Sequence, residues 1–261
     1  VLESSEKDYE GFHYKYDEWD YSKRSYKKDF CSVYPASPFK LNPSYYHKTI
    51  KENATVLMGL RKMITSLNNK LKWQKRQKQG EEFDLDALVD RNTDIYAGKT
   101  PDENIFYTKR KTEKDISILL LLDISLSTDG YASNNRIIDV EKDVSILFGE
   151  IMNEFNIDFA IDCFYSKTRN YASYISLKEF DEPWQKGRDK IGGIEPIGYT
   201  RIGTALRHAG ARISARDTSK KWVILISDGK PNDYDKYEGK YGIQDVKQAL
   251  RELNEKNIQS Y

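Results

Sequence analysis

Asp123-Ile124-Ser125-Leu126-Ser127 directly follows the apolar run Ile116 to Leu122. Residues at i, i+2 and i+4 of an extended segment share one face, so a carboxylate and two hydroxyls can converge on a point. A donor set made only of oxygen suits a hard cation, Mg²⁺ first and Mn²⁺ second. The cluster also falls where open α/β sheets hold their ligands, past the carboxyl end of a strand.

Taken alone, D-x-S-x-S is equally a capping sequence for the next helix, since Asp and Ser favour that position. Two further segments raise its meaning. Gly198-Tyr199-Thr200 offers a hydroxyl in a glycine-containing turn before a helical stretch, about 77 positions on. Ser227-Asp228-Gly229 ends a second apolar run and offers a second carboxylate. Strand-end loops on one edge of a doubly wound sheet lie side by side. The expected metal site is therefore Asp123, Ser125, Ser127, Thr200 and Asp228. Asp129, before Gly130, reads as a turn residue. Asp233, Asp235 and Glu238 read as an exposed acidic rim that contributes to partner choice.

These loops need a scaffold. From Asp115 onward, apolar runs at 116–122, 157–165 and 222–227 alternate with helical stretches near 138–156, 202–215 and 243–256. Tyr171–Leu177 reads as a short edge strand, and Ile258 opens another strand. The predicted buried stripe of the first helix is Ile138, Val140, Val144, Leu147, Phe148 and Ile151. Apolar strands separated by helices predict an α/β fold: a doubly wound, mostly parallel sheet with helices on both faces.

Ahead of it stands a mainly helical N-terminal extension. The expected domains are 1–112, Tyr-rich and helical, and 113–261, the sheet domain. Residues 1–50 carry eight tyrosines (Tyr9, Tyr14, Tyr16, Tyr21, Tyr26, Tyr34, Tyr45, Tyr46) among charges and read as an extended, surface-wrapping segment. Ile50, Leu57, Leu60, Ile64, Leu67 and Leu71 form one stripe of a long helix from Pro43 to about Gln79. A shorter helix is expected from Asp84 to Tyr96, with Leu85, Leu88, Val89 and Ile95 inward. A weak boundary lies at 108–114.

The chain has 261 residues, 32% of them charged, with a net charge of +1. That balance sets up no general field for nucleic acid or membrane. Seven basic residues and no acid fall between Asn53 and Gly80 (Arg61, Lys62, Lys70, Lys72, Lys75, Arg76, Lys78). They lack the aromatic interleaving of a single-strand binder and read as a solvated face. Cys31 and Cys163 read as reduced thiols. The charged start VLESSEKDYE reads as no signal peptide, and no apolar run approaches bilayer length. A cytoplasmic protein without membrane insertion is expected.

DISLS, the distant Thr200 and ISDG together resemble the metal-ion-dependent adhesion site of von Willebrand factor A domains. YDEWD, DFCSVYP, RQKQGEEFDLDALVD, LLLLDISLSTD, GYTRIGTALRHAGARI and ISDGKPNDYDKYEGKYGIQD are similar to the NorD subgroup, the nitric oxide reductase activation proteins, to which CoxE- and CbbO-type proteins are related. The resemblance covers most of residues 14–250. It implies that Ser125 and Ser127 bind the metal directly, that Thr200 does so in one state, and that Asp123 and Asp228 act mostly through water. It also implies a non-catalytic adaptor that works with a MoxR-family AAA+ ATPase of the NorQ or CbbQ kind on a client metalloenzyme such as nitric oxide reductase. An A domain of this type is expected to add a strand and a closing helix beyond Tyr261.

The alternative is a metal-dependent hydrolase built on the same cluster. Against it, His13, His47 and His208 lie outside the motif loops, and no G-x-S-x-G, P-loop or H-E-x-x-H occurs. A Rossmann dinucleotide site is disfavoured because DISLSTDG lacks G-x-G-x-x-G. An extracellular adhesion module is disfavoured by the absence of a signal sequence and of disulfides.

Overall fold

The computed structural model describes residues 11–38, 40–70, 73–80, 82–109, 115–132 and 134–261. The chain forms two compact units: Val1–Asn53 with Asp115–Tyr261, and Ala54–Lys114. This division differs from the expected one at 112/113, because the N-terminal segment belongs with the sheet.

In chain order the first unit begins with strands β1 (Tyr14–Asp20) and β2 (Ser25–Ala36) and helix α1 (Pro43–Glu52). The second unit holds α2 (Ala54–Lys70), β3 (Trp73–Gln77), β4 (Glu82–Phe83), α3 (Leu85–Tyr96) and β5 (Phe106–Lys109). The first unit then resumes with β6 (Ile116–Asp123), a short 3₁₀ turn (Leu126–Asp129), β7 (Tyr131–Ala132), β8 (Asn135–Arg136) and α4 (Ile137–Glu154). It continues through β9 (Asp158–Thr168), β10 (Tyr171–Lys178), α5 (Trp184–Ile191), α6 (Ile202–Ser214) and β11 (Lys220–Ile226). It closes with β12 (Asn232–Asp233), β13 (Tyr237–Glu238), α7 (Gly239–Glu255) and β14 (Ile258–Ser260).

The main sheet runs β1-β2-β10-β9-β6-β11-β14. The pairs β2–β10, β9–β6, β6–β11 and β11–β14 are parallel, and β1–β2 and β10–β9 are antiparallel. Helices α6 and α7 pack together on one side, and α1, α4 and α5 form a second group. β6 sits mid-sheet and is covered on both faces, so its sequence ISILLLLD shows no alternation. Leu119 and Leu121 join Val223, Ala160, Leu206 and Ala209 in the core. The expected α/β architecture is present.

Several expectations need correction. Residues 14–36 are not a surface wrap but two strands that extend the sheet, so Tyr171–Leu177 is interior rather than an edge. The period-2 signal was hidden because two inward positions of β1 are the buried acids Glu18 and Asp20. The long helix 43–79 is two helices and a strand. The first breaks at Asn53, whose backbone and side-chain amides both donate to the Thr49 carbonyl. The second ends at Lys70, and Trp73–Gln77 pairs with β5 instead.

The basic run is accordingly shared between helix and strand, and exposed Lys75 and Arg76 pair with Asp86 and Asp90 of α3. In α4, Val140 and Val144 are exposed, while Glu141, Lys142 and Ser145 are buried. Leu85, Val89 and Ile95 of α3 are exposed too, and Ala87 is its buried residue. Tyr9, Leu71 and the boundary stretch 110–114 lie outside the described residues, as does the side chain of Leu67. Cys31 and Cys163 are buried free thiols. No helix among the described residues is long and apolar enough to cross a membrane.

Candidate metal centre

The site is built by three loops zipped together through backbone hydrogen bonds. Leaving β6, Ile124 donates to the Phe164 carbonyl and accepts from Ile197. Leu126 N–H then donates to Gly198 O at 3.0 Å. The 198–200 loop is held in turn on β9 through a Ser166–Tyr199 bridge and on β12 through Thr200–Asn232. Gly198 has φ +73°, and a Cβ there would stand 2.5 Å from Ser166 O, so the turn requires glycine. Gly229, at φ +85°, turns the chain after Ser227-Asp228.

Side chains complete the assembly. Asp123 is fully buried at the end of β6. Its Oδ1 accepts from Ser125 N–H at 3.0 Å, and both carboxylate oxygens accept from Thr200 Oγ1 at 3.1 Å. Ser227 Oγ donates to Asp123 Oδ2 at 2.8 Å. Ser125 and Ser127 hydroxyls lie 2.8 Å apart. Thr128 fixes the turn by donating to Ser125 O at 2.7 Å. The structure thus joins Asp123, Ser125, Ser127 and Thr200 directly, although 77 residues separate Thr200 from Asp123. Asp228 follows Ser227 and is exposed, as Ser127 is. Buried Asp123 and exposed Asp228 and Ser127 give the cluster a closed floor and an open mouth.

Two residues escaped the sequence reading. One is Ser227, which braces Asp123. The other is Glu141 of α4, 4% exposed, whose Oε2 has no hydrogen-bond partner. Burial, and then the charges of Asp123 and Asp228, push the Glu141 carboxyl up to about 9. Burial likewise raises Asp123 above the usual carboxylate range, against hydrogen bonds from Ser227, Ser125 and Thr200 that lower it. Buried polar positions inside the apolar stripe of α4 were the available signal for Glu141.

The donor chemistry fits a small hard cation. Among the described residues no three His, Cys, Asp or Glu side chains gather tightly enough to hold a metal by themselves. A bound cation would therefore take most direct contacts from hydroxyls, with water between it and some carboxylates, as Mg²⁺ prefers. Among the described residues no lysine or arginine pairs with Asp123, Asp228 or Glu141.

The acidic rim expected at 233–238 is corrected. Asp233 and Asp235 point inward to Arg201, which is 1% exposed. Arg201 Nε donates to Asp233 Oδ2 at 2.8 Å and Nη2 to Asp235 Oδ2 at 3.2 Å, while Nη1 pairs with Glu18 of β1. The Glu18 carboxylate also accepts from Tyr241 Oη at 2.7 Å and from Cys31 Sγ at 3.2 Å. The Arg201 guanidinium stacks 4.5 Å from the Tyr237 ring centre. Glu238 is exposed. Asp129 accepts from Arg136 Nε at 2.6 Å.

His208 belongs elsewhere. It is buried, 2.9 Å from Tyr16 Oη, and packs 4.3 Å from the Tyr174 ring. Burial, then the Arg212 charge, hold it down to about 4. It lines a cavity of about 690 Å³ with Tyr14, Tyr174 and Arg212, separate from the three loops.

No family model matches the chain. It is 33% identical over 246 residues to Protein NorD of Stutzerimonas stutzeri, an alignment covering 94% of this chain and 40% of that protein. It is 31% identical over 250 residues to Protein NorD of Brucella abortus (strain 2308), covering 93% and 38%. The chain spans about two fifths of the length of these relatives. Similar solved structures include the conserved hypothetical protein BatB from Bacteroides thetaiotaomicron (16% identity, TM-score 0.42, covering 56% of this chain and 64% of that one). Another is a von Willebrand factor type A protein from Catenulispora acidiphila (17% identity, TM-score 0.39, covering 59% and 33%).

Proposed function

We propose that this chain, 33% identical to Protein NorD of Stutzerimonas stutzeri over 94% of its length, is a non-catalytic adaptor with a metal site of the von Willebrand factor A type. It grips a partner's carboxylate through a divalent cation and works with a MoxR-family AAA+ ATPase of the NorQ or CbbQ kind. The pair activates or assembles a client metalloenzyme, with nitric oxide reductase the leading candidate. The observation that carries this reading is the hydrogen-bonded convergence of Asp123, Ser125, Ser127 and Thr200 from separate strand-end loops, with Ser127 at an open mouth.

Mg²⁺, or Mn²⁺ in its place, would supply a positive centre able to accept one more oxygen ligand from outside. Ser125 and Ser127 would hold it directly and Thr200 in one state, with Asp123 and Asp228 acting mostly through water. Neutral hydroxyls donate less charge than carboxylates, so such a set leaves an acidic ligand welcome. Buried Asp123 fixes the loops by accepting from Ser125, Thr200 and Ser227. Water activation would want a basic group at the mouth, and the buried histidine His208 is engaged with Tyr16 instead.

The test is Asp123→Ala in the full-length protein. Binding to the ATPase and client is measured by pull-down with and without EDTA, and client activation is assayed alongside. Loss of cation-dependent binding and of activation, with ATP hydrolysis by the ATPase intact, is expected. Undiminished binding and activation by the variant in EDTA would defeat the reading.

A further inference from the structure

Glu141 has no structural purpose that its surroundings explain. It lies on the inward face of α4, 4% exposed, and its Oε2 meets no hydrogen-bond donor. Leaving a buried polar atom unpaired costs about 1–3 kcal/mol. The neighbouring cation is committed elsewhere: Lys142 lies 3.8 Å from Asp139 and 5.4 Å from the Tyr45 ring centre. Adjacent helix positions face about 100° apart, so Lys142 cannot serve Glu141. The charged groups that do act on the Glu141 carboxyl are Asp123 of β6 and Asp228 after β11, both acids. The buried thiol of Cys163 on β9 also feels it. An apolar residue would fill this position at lower cost unless something supplies positive charge.

We propose that Glu141 is a third carboxylate of the cation site, a positioning residue that accepts a hydrogen bond from water in the ion's shell. The inference rests on the cation reading given above and goes beyond the five residues from the strand-end loops. It explains an inward polar stripe in α4 and ties that helix to the loops. Glu141 acts behind the ion rather than as a direct ligand, because no three acids of the described residues come close enough to share one ion. Outer-sphere partners of this kind change metal affinity by about 10–100-fold.

The experiment is calorimetric titration of MgCl₂ and MnCl₂ into the wild-type chain, Glu141→Gln and Asp123→Ala, with EDTA-treated thermal melts as the folding control. Glu141→Gln should bind about 10–100-fold more weakly while melting no lower than wild type without metal. Titration in two buffers of different ionisation enthalpy should show fewer protons released per ion by the variant. Equal affinity and equal proton release in Glu141→Gln overturn the inference. Should that variant not fold, Glu141→Leu, of similar size and without a carboxyl, decides: an affinity equal to wild type overturns it. Wild type that binds neither ion refutes the cation reading itself, whereas intact wild-type binding lost only in Asp123→Ala refutes the role of Glu141 alone.

Discussion

Two acidic clusters stand side by side on the same strand-end loops, and they meet at consecutive residues, Thr200 and Arg201. Around Arg201, three carboxylates (Glu18, Asp233 and Asp235) surround one buried guanidinium. Around Thr200, Asp123 is held by hydroxyls and an amide, and Glu141 and Asp228 add two more carboxyl groups without a lysine or arginine partner among the described residues. The first cluster carries its own cation, and the second is left short of one. Burial of charge is tolerated where it is paired and hydrogen bonded. The unneutralised set is therefore the place to look for an outside ion, although both clusters are equally acidic in sequence.

The comparison predicts its largest effect at Arg201. Arg201→Met would strand Glu18 and Asp233, which are 1% and 3% exposed. Removing one partner of a buried pair costs about 3–5 kcal/mol. Urea unfolding of the variant should show a loss of that size with little change in slope. A loss under about 1 kcal/mol, the range of an exposed pair, would mean that Arg201 is not what makes this cluster self-sufficient.

The contrast also explains what could be read from sequence. Asp123, Ser125, Ser127, Thr200 and Asp228 stood out because each follows an apolar run or a glycine turn, and turn chemistry is local. The alternation of strands and helices after Asp115 was legible for the same reason. Arg201 and its acids were not: Glu18 lies 183 residues away, and the pairing is visible only once β1 joins the sheet through β2. Asp233 and Asp235 therefore looked like solvent-facing loop residues. β1 itself was missed because its inward positions carry Glu18 and Asp20 where strand patterns expect apolar side chains. Glu141 failed to register because Val140 and Val144 fit a helical stripe better by hydrophobicity, yet face out.

A second, smaller effect sharpens the comparison from the other side. A ligand present at 100 times its Kd stabilises the fold by about 2.7 kcal/mol. Saturating Mg²⁺ should raise the melting temperature of the wild-type chain by roughly 5–10 °C for a protein of this size. The rise should vanish in Asp123→Ala and persist, relative to its own lower baseline, in Arg201→Met. Calorimetric melts with and without EDTA measure all three. An equal rise in Asp123→Ala would place the ion elsewhere.

The smallest effect tests whether acidity alone matters. Asp129 lies two residues past Ser127, closer in sequence to the loop's hydroxyls than Asp228 is. It already has a cation, accepting from Arg136 Nε at 2.6 Å, and its side chain is 57% exposed. An exposed ion pair contributes about 0–1 kcal/mol. Asp129→Ala should therefore unfold within 1 kcal/mol of wild type and bind Mg²⁺ with unchanged affinity in the same titration. If acids gathered the ion simply by lowering the local potential, removing Asp129 would weaken binding as much as Glu141→Gln does. Because its charge is already met by Arg136, it should not, and the difference between those two variants isolates want of a protein cation, rather than nearness to the loop, as the property that marks the site.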